Sequence, residues 1–135
     1  MGIPGITVDT HTLVWYIDEA SNRKLTEKAI QMIDDAEKNS VIYVSTISLM
    51  EVIDLSEKGR ISISFRKVLS AIDTNEAYKV ISVSSELIRT AIPLQCLEIH
   101  DRLIVATALM TKSILVSKDR EIRATGLNVV WSRQE

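Results

Sequence analysis

The sequence predicts an α/β fold, a sandwich of helices around a mostly parallel, five-stranded sheet. Three observations carry this expectation. Short β-branched runs alternate with longer segments of helical periodicity along all 135 residues. Most of the runs are apolar on successive residues rather than on every second one, the pattern of strands covered on both faces. No composition shift, linker-like tract or internal repeat divides the chain, so residues 1–135 read as one domain.

Taken in order, residues 6–8 (Ile-Thr-Val) form the first candidate strand, and residues 11–18 a short apolar-rich helix. Residues 26–38 place Ala29, Ile30, Ile33 and Ala36 on one helical stripe, with Thr26 fit to cap its first turn. Residues 41–44 are the second strand. The helix at 47–58 stops at Gly59, a residue suited to the left-handed turn that ends helices. Residues 65–75 carry Phe65, Val68, Leu69 and Ile72 at helical spacing. Residues 80–83 are the third strand, and the helix at 85–92 is closed by Pro93. The helix at 101–111 is apolar almost all round, so it needs cover on both sides. The sheet can supply one side, and a neighbouring helix or a second subunit the other. Residues 114–116 and 128–131 complete the strands.

Composition narrows the function. Hydrophobic residues make up 46% and charged residues 25%, ordinary for a folded chain able to bury a core. The net charge of −2 gives no global field for nucleic acid, so such a site needs a local basic patch. One cysteine, Cys96, excludes an internal disulfide; it sits in an apolar stretch without an adjacent base and is expected to be a buried, inert thiol. No apolar run approaches the roughly 18 residues of a membrane span. The first residues lack a signal peptide's basic start and apolar stretch, so a cytoplasmic protein is expected. The four glycines form neither of the phosphate-cradling motifs.

In open parallel sheets, ligands bind beyond the carboxyl ends of the strands. Asp9, Thr10 and His11 follow the first strand, and Ser45 and Thr46 the second, leading into a helix that carries Ser48 and Glu51. Ser117, Lys118 and Asp119 follow the fourth, and Asp101 opens the apolar helix before it. Each acid has a structural explanation. Asp9 and Asp119 can cap helices, Ser48 and Glu51 have capping-box spacing, and Asp101 suits a helix dipole. Jointly these explanations weaken, because Glu51 and Asp101 belong to well-buried helices, where a charge needs a partner. Four carboxylates at one sheet edge repel one another, and a divalent cation removes the conflict. Mg²⁺ takes oxygen ligands and keeps several waters, so one or two direct carboxylates suffice. A water bound to such an ion is acidified and can attack phosphorus. The constellation reads as metal-assisted phosphodiester hydrolysis.

The segments Val8-Asp9-Thr10-His11, Ser48-Leu49-Met50-Glu51-Val52, His100-Asp101-Arg102-Leu103-Ile104-Val105-Ala106 and Leu115-Val116-Ser117-Lys118-Asp119 resemble, in order, those of the PIN-domain nucleases. Within that family the chain is most similar to the VapC-like toxins of prokaryotic toxin–antitoxin pairs. The likeness runs from about residue 6 to Trp131. It implies a three-layer α/β/α fold and Mg²⁺- or Mn²⁺-dependent endoribonuclease activity on single-stranded or structured RNA. It also implies a cognate antitoxin and, commonly, a homodimer. By the same resemblance Asp9 and Asp101 are the principal metal ligands. Glu51 and Asp119 complete the catalytic acids, and the Thr10 and Ser117 hydroxyls line the pocket. Residues 96–100 depart from the proline-containing turn with a further acid found in many relatives.

Other residues have narrower readings. His11 is expected beside the site or at the helix start rather than on the ion, because an all-oxygen site does not need it. His100 can touch substrate or serve the helix start. Arg102 is expected to pair with a neighbouring acid and hold its loop. Lys58, Arg60, Arg66 and Lys67 form a cluster that either tracks an RNA backbone or is a solvated face. Lys118 and Arg120, flanking Asp119, are better placed to meet a phosphate. Trp15, Tyr16 and Trp131 are expected to pack rather than stack on bases. Two other classes stay open: a PIN-like module that binds RNA or protein without cutting, and a Mg²⁺-dependent phosphatase or receiver. The last is weakened because His11 stands where a DxD phosphatase needs its second acid, and because a receiver needs paired acids where only Asp9 is present.

Overall fold

The computed structural model describes residues 3–132. Five strands form one sheet: β1 (Ile6–Val8), β2 (Ile42–Ser45), β3 (Tyr78–Ile81), β4 (Ile114–Val116) and β5 (Val129–Val130), in the order β3-β2-β1-β4-β5. Every pairing is parallel, with Ile6 opposite both Ile42 and Ile114. The helices are α1 (Thr10–Ile17), α2 (Glu27–Asn39), α3 (Thr46–Glu57), α4 (Phe65–Asp73), α5 (Ser85–Ala91), α6 (Ile99–Thr111) and α7 (Arg120–Arg123), with a 3-10 segment at Glu19–Lys24. They flank the sheet in an α/β/α arrangement, as the sequence leads one to expect.

The period-two alternation of strands divides the core. Ile6, Val8, Ile42, Val44 and Val116 pack in one cluster with Leu13, Val14, Ala29, Ile33, Val52 and Val68 from α1 to α4. Leu115 enters a second cluster with Ile104, Val105 and Ala108 of α6, and Leu87 and Ala91 of α5 pack on Ala106. Five successive residues of α6, Ile104 to Ala108, are therefore buried. The sheet covers one side and α5 packs on the helix as well. The apolar helix is thus accounted for within the chain and does not itself require a second subunit. Its last turn stays open, with Leu109 and Met110 exposed.

Caps explain most element boundaries. Thr26 accepts from the Ala29 amide at 3.0 Å, as expected. Gly59 has φ +68° just beyond α3 and supplies the left-handed turn. The capping-box reading of Ser48 and Glu51 is overturned: Ser45 is the cap, accepting from Ile47 at 3.2 Å, and Ser48 lies buried inside the helix. β3 begins two residues earlier than expected, because pairing with β2 sets Tyr78 opposite Ile42. Val83 instead donates its amide to Thr46 Oγ1 at 3.1 Å, in the turn toward α5. Cys96 is exposed, not buried. The turn before α6 anchors itself through Leu97, which is 3% exposed, and leaves Cys96 at the surface.

Candidate functional site

The strand order reverses direction between β1 and β4, since β2 and β3 extend to one side and β5 to the other. A crevice is expected outside the carboxyl ends of the two strands at such a switch point. Asp9 leaves β1 there and Ser117 leaves β4. The Ser117 hydroxyl, fully buried, donates to Asp9 Oδ2 at 2.5 Å and closes the switch point. Asp9 Oδ1 also caps α1 by accepting from the Thr12 amide at 3.0 Å. The structural reading of Asp9 as a helix cap is therefore met, by the same side chain that accepts from Ser117 at the switch point.

The other acids are held by different elements. Glu51, one helical turn inside α3, accepts from Thr10 Oγ1 at 2.5 Å through Oε1. His100 Nδ1 lies 3.3 Å from its Oε2. Asp101 sits in the first turn of α6, whose cap is Glu98, the acceptor for the His100 amide at 2.9 Å. Asp119 caps α7 through the Glu121 and Ile122 amides at 2.8 and 3.3 Å, and its own amide donates to Ser117 Oγ at 3.1 Å. Asp9, Glu51, Asp101 and Asp119 all line a single open groove of about 910 Å³. Thr10, Lys118 and Arg120 share it. Lys58 and Arg60 are not among its lining residues, and Lys58 pairs with Asp54 at 3.0 Å.

Electrostatics mark this groove as short of positive charge. Burial, then Asp119, Glu98, Glu51 and Asp9, push the Asp101 carboxyl up to about 6. Burial raises Asp9 as well, against the hydrogen bonds from Ser117 and Thr12 and the nearby His11. Among the described residues, no three His, Cys, Asp or Glu side chains form a group able to ligate one ion by themselves. The donor set nevertheless fits a hard divalent cation that keeps several waters. It consists of carboxylate oxygens from several elements, those of Asp9, Glu51 and Asp119 held by hydrogen bonds, with charge repulsion on Asp101 that a cation would relieve.

Two expectations outside the acids are refined. Arg102 does hold its loop, but through backbone carbonyls rather than an acid. Its Nε donates to Leu97 O at 2.8 Å and a terminal nitrogen to Gln95 O at 3.2 Å. Trp15 packs at 6.2 Å against Trp131, as expected, yet it also lines the groove. Its position four residues after His11, on one face of α1, is the signal that could have shown this from the sequence.

The sequence profile of the PIN domain matches residues 6–127. No curated protein matches. Solved structures with a similar fold include a chain of VapBC2 from Rickettsia felis bound to a promoter DNA fragment. It has a TM-score of 0.68 and 18% identity, with 95% of this chain and 99% of that chain covered. A chain of a toxin–antitoxin complex from Klebsiella pneumoniae gives 0.66 and 20%, covering 93% and 95%. A chain of DNA-bound VapBC from Salmonella typhimurium gives 0.67 and 16%, covering 95% and 98%. At these identities the likeness establishes the fold.

Proposed function

Because the chain belongs to the PIN-domain family, we propose that it is a Mg²⁺- or Mn²⁺-dependent endoribonuclease, the toxin of a toxin–antitoxin pair. The observation that carries this reading is the convergence of Asp9, Glu51, Asp101 and Asp119 on one groove, where burial and the neighbouring carboxylates raise Asp101. The fold shared with chains of VapBC and toxin–antitoxin complexes supports the toxin assignment. A cognate antitoxin and a second copy of the chain are the protein partners. Exposed Ile88 on α5 and Ile92 just after it suit an association of this kind. No helix among the described residues is long and apolar enough to cross a membrane.

Asp9 and Asp101 would hold the ion, and Glu51 and Asp119 would orient its waters. Once bound, such an ion supplies an acidified water and offsets charge on phosphate oxygens. The chain's own groups do the positioning. Ser117 fixes the rotation of Asp9, while Thr10 and His100 fix Glu51 from its two oxygens. Lys118 and Arg120 bind the substrate phosphate, which the acids alone would repel.

Cleavage of a single-stranded RNA in Mn²⁺, with and without EDTA, tests this directly. Wild-type protein should cut only with the metal, and Asp9→Asn and Asp101→Asn should be inactive yet folded. Undiminished cleavage by both variants would refute the proposal. The alternative is a PIN-like module that binds RNA or protein without cutting. RNA binding without cleavage in both Mg²⁺ and Mn²⁺ would establish it.

A further inference from the structure

Trp15 lines the same groove as the acids, and three groups gather on its ring. The His11 imidazole, one helical turn earlier, is tilted at 49° with its centroid 5.5 Å away. The Lys24 and Lys118 ammoniums each stand 5.8 Å from the ring centroid, although they come from the end of the 3-10 segment and from the turn after β4. Both lysines are exposed, and among the described residues neither forms an ion pair, despite Asp9 and Asp119 lining the same groove. A cation on an indole is worth only about 0.5–1 kcal/mol at an exposed site, so both ammoniums are free to exchange the ring for an anion.

Trp15 is fixed from behind by Trp131, which is buried in the core. A part-exposed aromatic ring backed by a buried one, with exposed cations beside it, suits one ligand chemistry: a planar base carrying a phosphate. We propose that Trp15 and His11 form a stacking platform for an unpaired base of a single-stranded RNA, with Lys24 and Lys118 holding the adjoining phosphate. This subsite lies beside the acids and rests on the reading of the groove as RNA-cleaving. It selects unpaired nucleotides, because a base within a duplex cannot present its face to a side chain.

The test uses full-length protein carrying Asp101→Asn, so that RNA is bound in Mg²⁺ without being cut. Fluorescence anisotropy compares a single-stranded RNA with the same strand made abasic. Trp15→Ala should weaken binding of the intact strand roughly tenfold and of the abasic strand hardly at all, while Trp15→Phe keeps most of the affinity. Lys24→Ala with Lys118→Ala should weaken both strands and reduce the salt slope by about 0.7, the value for one phosphate contact to a single strand. The unsubstituted indole gives a check that needs no core variant: the intact strand should quench tryptophan fluorescence and the abasic strand should not. Equal quenching by both strands overturns the platform, as does equal loss of both in Trp15→Ala. If wild-type protein cuts RNA while Trp15→Ala binds both strands normally, the subsite fails and the nuclease reading stands. If the protein binds no RNA, both fail.

Discussion

Thr10 and Glu51, 41 positions apart, are joined by a 2.5 Å hydrogen bond from Thr10 Oγ1 to Glu51 Oε1. It couples the first residue of α1 to the middle of α3 and turns Glu51 toward the groove. His100 Nδ1 stands 3.3 Å from the other carboxylate oxygen, so Glu51 has a polar neighbour on each side.

Removing the Thr10 donor should therefore harm activity more than folding. Thr10→Val keeps the volume but leaves Glu51 Oε1 without its hydroxyl. Since misplaced catalytic groups are expensive, RNA cleavage should fall about tenfold or more. Thr10→Ser, which restores the donor, should recover most of it. Steady-state cleavage beside thermal melting separates the effects: equal activity in Thr10→Val would show that the bond does not position Glu51.

The raised Asp101 carboxyl makes stability depend on pH with a definite sign. Its folded value of about 6 exceeds the unfolded 3.8, so between these values the folded state binds more protons. Stability of the metal-free protein should then fall as pH rises through that window, and the penalty is complete above it. Asp101→Asn should stabilise metal-free protein at pH 7 by on the order of 1 kcal/mol, allowing for partial exposure, or a few degrees in Tm. The gain should vanish near pH 4. Mn²⁺ should raise the wild-type Tm at pH 7, less so below pH 6 where the proton competes, and not in Asp101→Asn. Calorimetric melting across pH in EDTA and in Mn²⁺ reads all three.

The convergence of the acids was legible because it follows from topology. Strand ends in a parallel sheet share one edge, so Asp9, Glu51 and Asp119 could be placed from the runs that precede them. What could not be read were contacts that depend on side-chain direction. Nothing local distinguishes Cys96, which faces out, from Leu97, which faces in. Ser45 and Ser48 both stand three residues before a polar or acidic partner, and only the end of β2 decides which one caps α3. The dual role of Trp15 escaped for the same reason: one ring packs on Trp131 and still presents a face to the groove.

Arg102 offers a way to separate loop-holding from substrate binding. Its guanidinium spans the Gln95 and Leu97 carbonyls and is not among the groove-lining residues. Arg102→Gln should cost about 1–3 kcal/mol of stability, through the loss of charged hydrogen bonds to the turn before α6. RNA affinity at saturating Mg²⁺ should be unchanged at temperatures well below the melt. A large loss of affinity with unchanged Tm would instead make Arg102 a phosphate ligand.

Ser48 yields a prediction opposite to the one its spacing with Glu51 suggests. As a helix cap, its loss would cost about 1 kcal/mol. In the structure it is fully buried and its hydroxyl has no hydrogen-bond partner among the described residues. A buried hydroxyl that has given up water and gained nothing is a net cost, so Ser48→Ala should leave stability unchanged or raise it by up to about 1 kcal/mol. Ser45→Ala, which removes the observed cap to the Ile47 amide, should carry the loss instead. Denaturant unfolding of the two variants side by side decides the matter. A costly Ser48→Ala with a neutral Ser45→Ala would mean that α3 starts one turn later and that Glu51 belongs to its cap rather than to the groove.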